Sequence, residues 1–215
     1  RLLKKKGATL KTILTKSGAE FVTPLSITSL SQSKVYQDLF SLENEVEMDH
    51  ISLSRWADLI LIAPITANTI SKLANGNSDD LASTVALASN KEIFIAPAMN
   101  VRMWEHKSTK QNISKLKSYN YRLIGPEIGD MACGEYGEGK MSEPKEIINK
   151  LKIYFKNLKI KNKLKSYNYR LIGPEIGDMA CGEYGEGKMS EPIKIVNELE
   201  NYFKSLKKNN KLKAI

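Results

Sequence analysis

The sequence predicts an α/β fold built on an open, mostly parallel sheet with helices on both faces. Three observations carry that prediction. Leu59–Ala63 (LILIA) and Glu92–Ala96 (EIFIA) are short, unbroken apolar runs of strand length, each closed by Ala-Pro. Such runs suit parallel strands covered on both sides. Segments of helical spacing lie between and after them, and strands alternating with helices build layered α/β domains.

Taken in order, Arg1–Lys6 has the pattern of the end of an amphipathic helix, with Gly7 as its stop. Ala8–Leu14 reads as the strand that follows. A helix leading into a strand is half of a strand–helix–strand unit. The chain also begins without Met, so it reads as a fragment starting inside its first helix, its first strand missing. Asp49–Asp58 places His50 just before a short helix. Asn68–Ala74 and Leu81–Ala88 are expected helices. Asp79 and Asp80 stand at the start of the second, where carboxylates complement free N–H groups. A helix is expected over about Lys107–Lys117, then a strand at Tyr121–Ile124 closed by Gly125-Pro126. Ile147, Ile148, Leu151, Phe155 and Leu158 give Lys145–Leu158 helical spacing.

Composition narrows the class. With 215 residues, 41% hydrophobic and 27% charged, the chain can bury an ordinary core without staples. No apolar run approaches the ~20 residues of a membrane span. Two cysteines, Cys133 and Cys181, and two histidines form no zinc pattern. No secretory signal is visible, which places the chain in a reducing cytoplasm. The net charge of +9 falls entirely after His106. Its densest stretch, Lys150–Lys165, holds seven lysines and no acid. Lysine rather than arginine dominates, and base and phosphate readers favour arginine for its planar fork. The stretch therefore reads as a solvated helix and linker, with no nucleic acid and no membrane as partner.

Lys115–Pro144 and Lys163–Pro192 are identical over 30 residues, displaced by 48. The segments that follow them, KEIINKLKIYFKNLK and IKIVNELENYFKSLK, align but have diverged. Structural repeats recur as degenerate patterns. Identity followed by divergence indicates a tandem duplication of a terminal segment, or a sequence-assembly artefact. Either way Cys181 is Cys133 copied.

Four segments carry polar chemistry. In Ala63–Thr69 (APITANT), Thr66, Asn68 and Thr69 sit where a strand meets a helix. They suit either a plain N-cap or a site for a polar ring edge or phosphate. In Asp49–Asp58 (DHISLSRWAD), His50 has a near-neutral pKa in its free form and suits a base or a structural role. Arg55 suits a phosphate or a surface ion pair, and Trp56 reads as core. In Pro97–His106 (PAMNVRMWEH), Asn100 offers donor and acceptor, while Met99, Met103 and Trp104 read as packing and pocket wall. In Met131–Met141 (MACGEYGEGKM), Cys133 lies in a glycine-rich loop expected to be mobile, an unusual place for an inert buried cysteine.

In this order and combination the four segments resemble the homo-oligomeric flavin-containing Cys decarboxylases, and within them the phosphopantothenoylcysteine decarboxylases, over roughly residues 1–158. The resemblance implies a three-layer Rossmann- or flavodoxin-like sheet. It implies FMN as cofactor, with Thr66, Ala67, Asn68, Thr69 and the backbone of Ala98 against the flavin and Thr15 and Ser17 near its phosphate. It makes His50 an aid to oxidative decarboxylation, Asn100 the holder of the substrate carboxylate, Arg55 a partner of the substrate phosphate, and Cys133 the acid on a closing flap. The implied reaction is decarboxylation of 4′-phospho-N-pantothenoylcysteine to 4′-phosphopantetheine in coenzyme A biosynthesis, through a thioaldehyde and an ene-thiolate. Residues 159–215 are then the duplicated flap segment, with Cys181 as the spare. The resemblance further implies a homotrimer or higher oligomer and fusion to, or assembly with, a phosphopantothenate–cysteine ligase domain. A peptidyl-cysteine decarboxylase, a flavin prenyltransferase and a non-catalytic regulatory protein on the same fold are the alternatives.

Overall fold

A computed structural model of the chain describes residues 1–39, 49–166, 175–178, 184–188, 190–191 and 193–201. α1 (Leu2–Lys5) ends before Gly7, whose φ of +82° suits glycine. β1 (Thr12–Ile13) is shorter than the expected Ala8–Leu14 and pairs in parallel with β2 (Val35–Tyr36). Between them lie α2 (Lys16–Ala19) and α3 (Pro24–Ser31). α3 was not anticipated, yet it has a start signal: Pro24 opens it and the Thr23 hydroxyl accepts the Ser26 N–H at 3.2 Å.

α4 (Asp49–Trp56) precedes the main sheet, in which β3 (Leu59–Ile65), β4 (Glu92–Pro97) and β5 (Arg122–Leu123) lie in that order, all parallel. Five consecutive β4 residues, Ile93–Pro97, are buried. Successive strand residues face opposite ways, so both faces of β4 are covered. β3 does not meet that expectation. It is an edge strand, half-buried along most of its length and exposed at Ala63 and Pro64.

The parallel strands form two sheets rather than one, because among the described residues no strand bridges β1 to β3. They share a core nonetheless. Leu53 of α4, with Leu81 and Val85 of α6 (Leu81–Ala88), packs on Ile13, Tyr36 and Ile60. The larger core joins Ile65, Ile93 and Ile95 to Ile70 and Leu73 of α5 (Ala67–Asn75), Trp104 of α7 (Val101–Glu105), and Ile113 and Leu116 of α8 (Lys107–Ser118). Each such aliphatic side chain contributes about 1.5–3 kcal/mol on burial.

Asp80 caps α6, its carboxylate accepting the Ser83 N–H at 2.8 Å and the Ser83 hydroxyl at 2.9 Å. Lys72 holds Asp79 at 2.8 Å and Asp80 at 2.9 Å, and these two hydrogen bonds raise its pKa above 10.5.

The glycine-rich stretch is not a loop. β6 (Glu127–Asp130) and β7 (Tyr136–Lys140) form an antiparallel hairpin, leaving residues 131–135 as its tip. α9 (Pro144–Ser166) buries Ile147, Ile148 and Leu151, then continues as helix through the lysine-rich segment expected to be a helix and linker. β8 (Glu175–Asp178) and β9 (Tyr184–Lys188) repeat the hairpin in the duplicated segment. The chain divides into two compact units, Arg1–Lys152 and Ile153–Ile215. No helix among the described residues is long and apolar enough to cross a membrane.

Candidate functional site

Three parallel strands end in the same device. After β1, Thr15 caps α2, its Oγ1 accepting the Gly18 N–H at 3.1 Å. After β3, Thr66 caps α5, accepting the Thr69 N–H at 3.3 Å with the two hydroxyls 3.2 Å apart. After β4, Asn100 caps α7, accepting the Met103 N–H at 2.8 Å. Carboxyl ends of parallel strands are where open α/β sheets place their ligands.

Strand register draws two of these turns together. Ile65 pairs with Pro97, and the Ala98 N–H donates to the Ile65 carbonyl at 3.1 Å. The Thr66–Thr69 turn and the Ala98–Asn100 turn therefore lie side by side. The cap bond is accepted by the Asn100 Oδ1, so both Nδ2 hydrogens are left to donate to a carboxylate. Thr66 and Asn68 are exposed, and Ala67, Thr69 and Ala98 half-buried. At the start of α5 the Ala67 and Asn68 N–H groups lack intrahelical acceptors. This set of hydroxyls, amides and small side chains fits the edge of a flat polar ring or a phosphate. Thr66 is a cap, as one of its two sequence readings held, and capping leaves those N–H groups open.

The third component arrives from β7. The Met99 N–H donates to the Gly139 carbonyl at 3.1 Å, which fixes the hairpin to the Asn100 turn. Cys133 is exposed at the hairpin tip. Its Sγ lies 3.7 Å from Glu135 Oε2. The tip closes through the Gly134 N–H on the Met131 carbonyl and the Met131 N–H on the Glu135 carbonyl, each 2.9 Å. Gly134 adopts a φ of +83° there. Cys133 therefore lies in the turn of a hairpin rather than in an irregular loop.

α4 carries the remaining candidates. His50 lies within the first turn of the helix, not just before it, and is half-buried, while Arg55 is exposed. No hydrogen bond or ion pair among the described residues links either to the Asn100 turn. Ser17 is exposed on α2, beside Thr15. Cys181 lies outside the described residues. Trp56 is not core: it is 44% exposed, with Lys11 Nζ 4.9 Å from its ring centre. Met103 is likewise exposed rather than packed. Trp104 is core, at 3% exposure, with Lys110 Nζ 4.1 Å from its ring centre. His106, which had no sequence assignment, caps α8, its Nδ1 accepting the Ser108 N–H at 3.2 Å.

A cavity of about 610 Å³ opens at the other end of the sheet, among Gly76, Lys91, Lys115 and Tyr121. None of the candidate residues lines it. Sequence reasoning missed the seats of the hairpin, Gly137 and Gly139. The signal was available in their two-residue spacing, which puts both on one face of a strand.

Residues 1–156 match the model of the flavoprotein family. The coenzyme A biosynthesis bifunctional protein CoaBC of Haemophilus influenzae is 46% identical over 155 residues, 72% of this chain and 39% of that protein. That of Bacillus subtilis is 45% identical over 149 residues, 69% of this chain and 37% of that protein. The chain thus spans well under half the length of these curated relatives. Among solved structures, a cysteine-to-serine mutant of PPC decarboxylase complexed with pantothenoylaminoethenethiol superposes with a TM-score of 0.66 and 32% identity, covering 71% of this chain and 86% of that one. The FMN binding protein AtHal3 superposes with a TM-score of 0.64 and 33% identity, covering 71% and 85%.

Proposed function

Because the chain belongs to the flavoprotein family, we propose that it is an FMN-dependent decarboxylase converting 4′-phospho-N-pantothenoylcysteine to 4′-phosphopantetheine in coenzyme A biosynthesis. One observation carries the reading: the Ala98 N–H bonds the carbonyl of Ile65, the residue before Thr66, and the Met99 N–H bonds the carbonyl of Gly139 in the hairpin that bears Cys133. These bonds support a reading in which the Thr66 turn cradles the cofactor, the Asn100 amide binds a carboxylate and the hairpin that bears Cys133 supplies a proton donor.

The Thr66–Thr69 hydroxyls and N–H groups, with Ala67, Asn68 and the Ala98 backbone, hold the FMN ring, and Thr15 and Ser17 its phosphate. When bound, FMN supplies a two-electron oxidation of the cysteine moiety and later returns those electrons. Asn100 donates from Nδ2 to the substrate carboxylate and orients it for loss as CO2. Arg55 pairs with the substrate phosphate. His50 accepts a proton during the oxidative step. The hairpin covers the reacting carbon and keeps water from it, and the Cys133 thiol delivers a proton to that carbon from its Sγ.

Cys133 serves this role rather than Cys181, because only the first copy follows the Asn100 turn through one helix and one strand. The working form is a cytoplasmic homotrimer or higher oligomer, fused to or assembled with a phosphopantothenate–cysteine ligase domain. The test is CO2 release from 4′-phosphopantothenoylcysteine with FMN present. FMN-dependent release, reduced about tenfold or more in Asn100→Ala, is the expected result. A folded, flavin-loaded protein that releases none overturns the reading.

A further inference from the structure

We propose that Gly139, with Gly137 beside it, is a positioning residue that sets the Cys133 hairpin in register with the Asn100 turn; this rests on the decarboxylase reading above. Gly139 is buried, with a φ of +148°. A Cβ built there would land on the carbonyl oxygen of Met99 and lie 2.8 Å from Met131 Cε. A Cβ at Gly137, φ +157°, would lie 2.9 Å from Val101 Cγ2. These two glycines let β7 lie directly on the backbone that carries Asn100, close enough for the 3.1 Å bond between the Met99 N–H and the Gly139 carbonyl. The Lys110–Glu138 pair at 3.7 Å closes over Trp104 from the same strand.

The two sides of this seat differ in firmness. The Asn100 turn is held by the Ala98 bond to Ile65, by the Asn100 cap, and by the Trp104 N–H on the Asn100 carbonyl at 3.0 Å. Among the described residues, the hairpin is held to the turn by one backbone bond and the close packing of Gly137 and Gly139, and to α8 by the exposed Lys110–Glu138 pair. A methyl group at 139 therefore displaces the hairpin and leaves the turn in place. Substrate binding and CO2 loss persist, while delivery of the Cys133 proton fails. The ene-thiol left by decarboxylation still lacks two electrons and two protons relative to the thiol product. Those electrons stay on the flavin.

The test compares FMN-loaded wild type, Gly139→Ala and Gly129→Ala. Gly129 faces Gly137 across the hairpin, but a Cβ there meets only the flexible Lys140 side chain, at 3.0 Å from Cδ. Gly139→Ala is expected to keep its FMN content and KM within about twofold. Its kcat for 4′-phosphopantetheine should fall about tenfold or more. It should release ene-thiol, leave flavin bleached after one turnover, and exchange its Met99 amide faster. Gly129→Ala should match wild type in all of these. A wild-type kcat and Met99 exchange rate in Gly139→Ala overturn the proposal, as does an equal loss in Gly129→Ala. Absence of CO2 release from wild type strikes instead at the decarboxylase reading, and the Met99 exchange still reports on the seat. Should Gly139→Ala fail to fold, Gly137→Ala takes its place. Adding Val101→Ala, which removes the obstructing Cγ2, should then return most of the lost kcat, and no recovery overturns the proposal.

Discussion

The hairpins β6–β7 and β8–β9 have the same sequence and the same pairing. Glu127 pairs with Lys140 as Glu175 pairs with Lys188, and the register slips at the same place, between Glu127 and Ile128 and between Glu175 and Ile176. Even the preceding helices stop alike: the identical KLKS ends α8 at Ser118 and α9 at Ser166. Local structure therefore follows local sequence twice over. Their approaches differ. The first hairpin is preceded by the Asn100 turn and seats Gly139 against it. The second is preceded by α9, and the chain holds no second PAMN segment. The same local sequence builds the same hairpin in both copies, and for the first copy the seat against Met99 is formed by residues outside the repeat.

The sharpest way to break that contrast is to remove each thiol in turn. Cys133→Ser should lower turnover by about 100-fold or more, the scale of a lost proton donor, while Cys181→Ser leaves it unchanged. The reverse pattern in a product assay would assign the flap to the second copy. Next comes the scaffold that delivers the first hairpin. Leu116 is fully buried in α8 at the start of the first copy, and Leu116→Ala should cost about 3 kcal/mol in a denaturant titration of that unit. Asn100 separates cap from chemistry. Asn100→Ala should lose about 1 kcal/mol of stability with the cap and about tenfold or more in kcat/KM with the amide donors. Asn100→Asp should keep the melting temperature and lose the activity, because aspartate caps a helix but repels a carboxylate.

The smallest effects test what holds the hairpin down at its rim. Lys110 and Glu138 are 45% and 48% exposed, so Glu138→Gln should cost less than about 1 kcal/mol, shrinking with added salt. A pH experiment supplies a contrast away from the first hairpin, at the start of α6. Burial pushes the Asp80 carboxyl up, but the Ser83 N–H, Lys72 and the Ser83 hydroxyl outweigh it and hold its pKa below 3.8. A carboxylate lowered on folding stabilises above its unfolded pKa, and that stability is lost as pH falls through the folded value. Asp80→Asn should therefore flatten the acid limb of the stability profile and leave the neutral-pH difference between the two cysteine variants unchanged. A shift in that difference would mean that α6 is coupled to the flap.

Much of the fold was legible. Leu81–Ala88 forms over the predicted residues because an Asp cap, apolar spacing and a polar stop agree. β3 and β4 were visible as apolar runs, although only β4 is covered on both faces. β2 was missed because two residues carry no periodicity. Trp56 was misjudged because its large apolar ring says core, while its position at the end of α4 leaves it open to solvent beneath Lys11. The candidate residues were legible as types: a cap candidate at Thr66, an amide at Asn100, a thiol among glycines; that Thr15 and Asn100 also cap helices was not. Their proximity was not, since it depends on pairings between positions far apart in the chain.

By itself, then, the sequence determined the strand and helix alternation and the cap candidates at Thr66 and Asp80. All of these rest on side chain–backbone bonds within a few residues or on short-range pairing. Only the tertiary structure decided that Gly139 of the glycine-rich stretch lies against the Met99 backbone. That outcome requires two backbones, 40 residues apart at Met99 and Gly139, to approach within hydrogen-bond distance. Such contact is possible where no Cβ stands between them.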